Sequence, residues 1–578
     1  TRVRPSRAFG RVELLTVYAM LIVSIGLLMQ GGLPYMVSMT TYPFYMATPQ
    51  NDWAHVILPH IPLWLSPTTP AMADWFWTGM PSGAHIPWLE WTRPGLSWSA
   101  FTIALMAAMY CLSSLLSRGW IERQRLTFPL AEIPLAMVGG GEQPTLGSGM
   151  FSRPALCLGF GIAASVTLLQ GLSRWFPSLP SLNTWWIPIG RYFAGMPLPW
   201  SVLSDLLFTF SFAMFGVICL LPLEITLSLW LFYALYNVQR VAWAALGGVP
   251  GAQNTGDAST FISAQETGAF IVLAAIVLRA SGGEFAAGWR RARSRAAGSG
   301  YIPLGESAAL IGLLAASAFL IWFAVQAGAS WWAFALLLAA FYVTLLGAAR
   351  VIAAAGVMFF WRSMSEQELL ISTIGSRAFS STSLVMSAYF GWIYMRDPMN
   401  LAMPQMMNAV KLLQSGRVRG GRFTWAAAIA IVIVILVGTA SLLSLAYHRG
   451  ASNLGDWPFT MWPRYAFQEA TNSIHNPQGP DNSARLALFI GAGVMALLVM
   501  AHTWIGGWPV NPIGYAIGST CHTVWTCALM AWILSSSVRR YGGLRLHQSL
   551  RLACLGLVLG QYLAEAVIGA VSVFMVPP

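Results

Sequence analysis

Four carboxylates lie in or beside long apolar runs of this chain: Glu132, Glu224, Glu266 and Glu565. An unpaired carboxylate in hydrocarbon costs several kcal/mol, so each must face a cavity, carry a proton or hold a partner. That is the chemistry of proton and ion exchange. Arg350 ends another apolar run. There it either meets an anionic group, such as a substrate carboxylate, or snorkels to the interface. Asn511 opens Asn511-Pro-Ile-Gly-Tyr-Ala-Ile-Gly518, where Pro and Gly interrupt a helix and leave backbone groups open to polar ligands.

Each carboxylate also has a plainer reading. Glu132 sits between Pro129 and Pro134, either in a broken intramembrane helix or in a cytoplasmic interfacial helix where it pairs with Arg123 or Arg125. Glu224 follows Leu221-Pro222; a turn there would place it at a helix N-terminus, where the helix dipole favours a negative charge. Asp257 or Ser259 can cap the next apolar run, leaving Gln265, Glu266 and Thr267 one to two turns inside it to line a polar pocket. Glu565 reads as a proton or ion site, or as a polar contact between helices. His502 and His522 are the two histidines in apolar runs and read as packing residues.

These residues are positioned by a chain that is 56% hydrophobic and 9% charged. Soluble domains average about 25% charged residues. Apolar runs long enough to cross about 30 Å of hydrocarbon recur along the chain. They fall at 12–31, 98–117, 154–173, 203–221, 224–246, 262–281, 305–327, 331–349, 378–395, 424–447, 486–505, 513–537 and 550–575. The stretches 126–138 and 351–375 read as half-helices, re-entrant segments or tilted helices. The fold class is therefore an all-α polytopic membrane protein of about 12–16 transmembrane or re-entrant helices. It reads as one membrane domain in two halves, 1–300 and 301–578, with a hint of an internal pseudo-repeat.

The net charge of +12 comes from arginines clustered in short loops. By the positive-inside rule they place the N-terminus and the segments 118–125, 290–295 and 417–422 in the cytoplasm. The Trp-rich loops 32–96, 174–200 and 448–484 then lie outside, resting on the bilayer surface. One conflict arises at Arg539–Arg545. A full span at 513–537 would put this basic segment outside, so either 506–537 is a hairpin or re-entrant element, or the rule fails here.

Enzymatic chemistry is not expected. The chain has no GxxxxGK[ST], no HExxH, no His/Cys ligand cluster and no GxSxG, and the glycine-rich stretch Gly247–Gly256 reads as a turn. No metal is indicated, the sequence leaves any cofactor, bound lipid or pigment unknown, and no basic stripe suits nucleic acid. The six cysteines, none in a CxxC, read as small buried hydrophobes.

Two stretches carry a resemblance. Trp120-Ile-Glu-Arg-Gln-Arg-Leu-Thr-Phe-Pro-Leu-Ala-Glu-Ile-Pro-Leu135 is similar to a motif of bacterial multi-pass membrane proteins of unknown function. Asn511 to Gly518, Ala531-Trp-Ile533, Arg540-Tyr-Gly-Gly-Leu-Arg545 and Leu555 to Gly560 resemble the other half of that family. Arg350 to Gly356 and Met403 to Lys411 fit between them. The family in turn distantly resembles the oligopeptide transporter superfamily, in which an LTFP half-helix introduces a similar acidic helix. Where that superfamily carries Glu-Ala-Gly after the arginine, this chain reads Val-Ile-Ala-Ala-Ala-Gly356.

The resemblance and the residues together imply a secondary transporter of the bacterial inner membrane, coupled to protons or another ion. Its substrate would be small and polar or peptide-like, and its site residues Glu132, Glu224, Glu266, Arg350, Asn511 and Glu565. Lipids are its expected partners, with a homo-oligomer or a larger membrane complex open. The alternative is a structural or accessory subunit of such a complex.

Overall fold

The computed structural model describes residues 9–29, 32–67, 69–138, 153–180, 184–247, 260–294, 304–357, 361–396, 402–416, 418 and 420–575. Asp257, Ser259, most of Gly247–Gly256, the arginines of the N-terminal arm before residue 9, and Arg295, Arg417 and Arg419 lie outside the described residues. The structure is 79% helical, with no β-strand among the described residues.

In chain order the principal helices are α1 (Arg11–Ser24), α2 (Trp88–Arg118), α3 (Pro129–Val138), α4 (Pro154–Leu172), α5 (Phe212–Cys219) and α6 (Leu223–Ala245). They continue with α7 (Thr260–Ser294), α8 (Glu306–Gln326), α9 (Trp331–Ala355), α10 (Ala402–Ser415) and α11 (Gly420–Arg449). The last are α12 (Asn482–Trp504), α13 (Ile513–Ala516), α14 (Trp525–Ser537) and α15 (Gly543–Met575).

Eight helical stretches among the described residues are long and apolar enough to cross a membrane. Only 33% of the most apolar window of α11 is buried, and 22% of that of α12. Apolar faces of that extent would aggregate in water, so lipid is their solvent. This is a multi-pass membrane protein.

Several spans expected from hydropathy are shorter or broken. The 12–31 run is a 14-residue helix, α1, followed by a 3₁₀ turn. Of 203–221, the part from Phe212 to Cys219 is α-helical, because Ser211 caps it by accepting a bond from Met214 N. Part of the 32–96 stretch, expected as a surface loop, is a buried helix, Leu33–Met46, with every residue from Leu33 to Pro43 buried. Trp77 and Trp91 are buried as well, because their indole N–H groups find partners inside the protein, on Thr41 Oγ1 (3.1 Å) and Tyr447 Oη (2.8 Å). Trp186 and Trp200 stay about half exposed, as interfacial tryptophans do. None of the six cysteines is in a disulfide; five are buried and Cys157 is exposed.

The chain forms two compact units, each drawing on both halves of the sequence. The first comprises 1–126, 273–349 and 364–486. Within it α2 packs against α8 and α1 against α10. An aromatic layer of Trp98, Phe101, Phe323, Tyr389, Phe390 and Tyr394 fills its core, with Tyr394 Oη 2.5 Å from Thr102 Oγ1. Arg118 Nη1 lies 3.5 Å from Glu306 Oε1.

The second unit comprises 127–272, 350–363 and 487–578. Its most extensive helix pair is α4 with α15, which run parallel: Gly159 meets Ala553 near their starts and Gly171 meets Ile568 near the end of α4. A Cβ on Gly159 would sit 2.1 Å from the Ala553 carbonyl oxygen. Small residues permit this backbone approach, which drives helix pairing in lipid through dispersion contacts.

Candidate functional site

The second unit positions a polar cluster along one edge of α6. Glu224, Ser228, Phe232, Tyr236 and Arg240 recur every four residues, so each neighbours the next in a row that winds around α6 by about 40° per step. From Glu224 to Arg240 that row rises about 24 Å at 1.5 Å per residue. Along its first half runs the segment from Asn511, which is broken at two points, between α13 and the 3₁₀ turn Ser519–Thr523 and between that turn and α14.

The break makes a hairpin. Gly514 packs on Ser228 and Gly518 on Phe232, so the incoming strand of the hairpin runs parallel to α6. A Cβ on Gly514 would come within 2.6 Å of Ser228 Cβ, which fixes glycine there. After the 3₁₀ turn the chain reverses: Trp525 stacks on Tyr233 (5.6 Å) and Trp532 packs on Trp230 (5.5 Å), so α14 returns antiparallel to α6. Asn511 and the end of α14 therefore lie toward the same end of α6. The described residues of 511–537 thus fold as a hairpin against α6.

At the base of the hairpin, Glu224 is half-buried in the first turn of α6 after Pro222, as a turn at Leu221-Pro222 would have it. Asn511 Nδ2 donates to Glu224 Oε1 (3.3 Å), and Asn511 N donates to Ser228 Oγ (2.7 Å). Asn511 Oδ1 accepts from Ile513 N (3.1 Å), which starts α13. At the tip, Ser519 donates both its backbone N–H and its hydroxyl to the Glu266 carboxylate. The Ser363 hydroxyl, which donates to the Ser263 carbonyl (3.4 Å), lies near the same carboxylate. Glu266 is 5% exposed.

Glu266 is held in register by the crossing of α7 and α12. A Cβ on Gly491 would lie 1.9 Å from the Gln265 carbonyl oxygen, so only glycine lets α12 approach this turn. Gln265 Oε1 in turn accepts from Gln239 Nε2 of α6 (2.8 Å). At the upper end of the α6 row, Arg240 binds both oxygens of Asp205 (3.0 and 2.9 Å), Asn237 Oδ1 (3.1 Å) and the Val202 carbonyl (2.6 Å). Its guanidinium carbon stands 5.5 Å from the Tyr236 ring.

The other residues expected at the site lie elsewhere. Glu132 is exposed in the first turn of α3. The LTFP stretch before it acts as a cap: Thr127 Oγ1 and Phe128 N donate to the carbonyls of Ala354 and Ala353 (both 3.0 Å), which end α9. Carbonyls at a helix C-terminus lack intrahelical partners, and this motif supplies two donors. Arg350 is half-buried, one turn before those capped carbonyls. Glu565 is exposed and accepts from Gln561 Nε2 (2.8 Å), a residue whose Oε1 accepts from Ala213 N of α5 (2.8 Å). It thus lies in a polar contact between helices, within a turn of Ile568.

Of the six expected residues, the structure brings Glu224, Asn511 and Glu266 to one hairpin. Ser519, Ser363, Tyr236, Arg240 and Asp205 were not anticipated; the four-residue spacing from Glu224 to Arg240 is the sequence signal that could have found the α6 edge. A small pocket beside the hairpin is lined by Met214, Val217, Ile218, Leu229, Gly356, Val357 and Val524, all apolar or glycine. Among the described residues no group of three or more His, Cys, Asp or Glu side chains could hold a metal ion.

A family profile matches residues 1–577. The chain belongs to the DUF6785 family, a family of unknown function. No curated protein and no solved structure matches it. For this DUF6785 member, then, the functional argument rests on the hairpin and the carboxylates beside it.

Proposed function

We propose that the protein is a secondary transporter of the bacterial cytoplasmic membrane, coupled to protons or another cation, that carries a small polar or peptide-like substrate. The observation that carries this reading is Glu266, a carboxylate within a membrane-spanning helix that accepts two bonds from the turn of a broken, re-entrant segment. Broken helices at membrane depth are how carriers expose backbone and side-chain groups to ions and polar solutes. Glu266 is the coupling group, and Asn511 with Glu224 the polar entrance beside it. The distant resemblance to oligopeptide transporters points to the same class. The charge pattern supports a cytoplasmic N-terminus, because the hairpin returns Arg539, Arg540 and Arg545 toward the end of α6 that bears Glu224.

The test is charge movement by purified protein in proteoliposomes on a solid-supported membrane, with a panel of amino acids, di- and tripeptides and other small polar solutes. Wild type should give pH-dependent currents with at least one solute class, and Glu266→Gln should lose them. Currents that persist unchanged in Glu266→Gln would remove Glu266 from coupling; silence of the wild type to every class would refute the transporter reading.

A second reading is a structural or accessory subunit of a larger membrane complex. It is favoured by the closed pairing at the top of α6, where Arg240 spends its donors on Asp205, Asn237 and Val202. Extraction in mild detergent separates the two: stoichiometric co-migration with unrelated subunits supports the second, and migration alone or as a homo-oligomer the first.

A further inference from the structure

The first unit contains a hairpin of its own, and its mouth encloses an amide side chain that bonds to no described residue. We propose that this side chain, Gln367, binds small neutral solutes that carry an N–H and a C=O side by side on one edge: primary carboxamides, ureas and cyclic amides. The site goes beyond the transporter reading and does not depend on Glu266.

The first limb is the nine-residue helix Glu366–Ile374, which ends at Gly375, where a φ of +96° turns the chain. The second limb is the helix Ser381–Phe390, continued by the π-helical turn Gly391–Met395. Arg396 follows that turn, and its Nη1 lies 3.7 Å from Glu368 Oε2, so the end of the second limb comes back to the start of the first. The far turn is pinned to the segment before α12. Arg377 N donates to the Gln478 carbonyl (3.2 Å), Arg377 Nε to the Pro477 carbonyl (2.9 Å), and Gln478 N to Ser376 Oγ (2.8 Å).

At the mouth, the residues on either side of Gln367 are anchored. Ser365 N donates to Glu368 Oε2 (2.5 Å) and Glu368 N to Ser365 Oγ (3.1 Å), a reciprocal cap of the helix start. Thr344 Oγ1 of α9 donates to Glu366 Oε1 (2.7 Å). Gln367 is 4% exposed, and neither its Oε1 nor its Nε2 has a hydrogen-bond partner among the described residues. Helical side chains tilt toward the N-terminus, so from the second position of the helix this amide is directed at the mouth. Buried amides are almost always bonded, because an orphaned one loses its water and gains nothing in return. The π-helical turn packed against this helix is a second mark of the site, since such turns gather where proteins bind or react.

The orphaned amide selects the chemistry of its ligand. It offers an acceptor oxygen and an N–H donor side by side. A solute edge with C=O beside N–H meets both and closes a ring of two hydrogen bonds. A trans peptide bond cannot, because its N–H and C=O point in opposite directions. An anion is disfavoured as well: a helix N-terminus attracts one negative charge, and Glu366 and Glu368 already place two carboxylates in this first turn. The Glu368 side chain is 32% exposed, so solutes reach the mouth on that side.

The experiment is saturation-transfer difference NMR on the full-length protein in nanodiscs. Pyrrolidinone and isobutyramide are the probes, with N-methylisobutyramide and isobutyrate as controls. The two probes should bind saturably and compete with each other, and the controls should bind about tenfold more weakly. Gln367→Leu should weaken probe binding about tenfold, as the loss of one or two neutral hydrogen bonds does. It should not lower the unfolding temperature of the free protein, because it removes an orphaned group rather than a bond. Gln367→Glu should shift preference to isobutyramidine, a planar cation whose two N–H groups pair with a carboxylate. Wild type that binds neither probe would mean that the amide holds a trapped water only, and would overturn the proposal. Undiminished probe binding in Gln367→Leu, a fall in its unfolding temperature, or a Gln367→Glu variant that still prefers the amides would overturn it too. None of these outcomes touches Glu266, whose test is the loss of transport current.

Discussion

The clamp between Arg240 and Asp205 gives a sharp test of the architecture that needs no substrate. Arg240 makes two parallel charge-assisted bonds to Asp205, 3.0 and 2.9 Å long, and ties α6 to the segment that carries Val202 and Asp205. Buried charge-assisted bonds contribute about 1.5–3 kcal/mol each. The Asp205 side chain is 39% exposed and that of Arg240 12%, so solvent screening cuts the pair to about 2 kcal/mol in all. Asp205→Asn, which keeps the shape and removes the charge, should therefore destabilise the second unit by about 2 kcal/mol, or roughly 4–8 °C for a cooperative unit of about 250 residues. Arg240→Lys should cost a similar amount, since an ammonium cannot reproduce the bidentate fork. Arg240→Ala should cost more, about 3 kcal/mol, because it also strips donors from Asn237 Oδ1 and the Val202 carbonyl. The assay is intrinsic-fluorescence unfolding in detergent, with limited proteolysis of the 184–211 segment as a local readout. Additive losses in the double variant Asp205→Asn/Arg240→Lys, or no shift in either single variant, would refute the clamp as an energetic unit.

Other perturbations test the rest of the frame. Gly491→Ala must push α12 off the Gln265 carbonyl, so about 1–3 kcal/mol of destabilisation is expected together with loss of any Glu266-dependent activity; an unshifted unfolding curve would count against the crossing. Thr127→Val removes one of the two donors that end α9 and should lower stability by about 1 kcal/mol in the same unfolding assay, with Thr127→Ser restoring most of it. Single cysteines placed at the exposed positions Trp504 and Tyr541 should react with an impermeant maleimide from one side of the membrane and a cysteine at Leu246 from the other; labelling of Tyr541→Cys from the Leu246 side would refute the re-entrant hairpin.

The sequence exposed the parts of this site that break a rule of the lipid environment. Glu266 and Glu224 were found because carboxylates are costly in apolar runs, and the hairpin was found as an alternative because Arg539–Arg545 conflicted with a full span. What stayed hidden depends on contacts between residues far apart in the chain. Thr127 caps a carbonyl 227 residues later, so the motif before Glu132 serves as a helix stop, a role no local pattern announces. Trp77 and Trp91 looked interfacial by composition, yet each buries its ring because Thr41 and Tyr447 receive its N–H. Ser519 carries no signal of its own; it matters because the 3₁₀ turn aims it at a carboxylate 253 residues earlier. His522 reads as a packing residue, and the Trp186 ring beside it at 6.5 Å agrees with that.

Two carboxylates packed along α6, Asp205 at its upper end and Glu266 at the hairpin tip, are held in opposite ways, and the contrast bears on function. Asp205 is neutralised by a guanidinium that grips both its oxygens. Glu266, far more deeply buried, accepts from neutral donors, the N–H and hydroxyl of Ser519, and no cation among the described residues pairs with it. A network whose task was only to hold helices together would gain by placing the cation at the buried carboxylate, where an uncompensated charge costs most, rather than at the half-exposed one. Leaving Glu266 without a fixed counter-charge makes sense if the missing positive charge is mobile: a proton or a coupling cation that arrives and leaves with each cycle. The Ser519 hydroxyl suits that task, since it can donate to the ionised carboxylate and accept from the protonated one, so the site stays hydrogen-bonded in both states and the exchange need not unfold the hairpin.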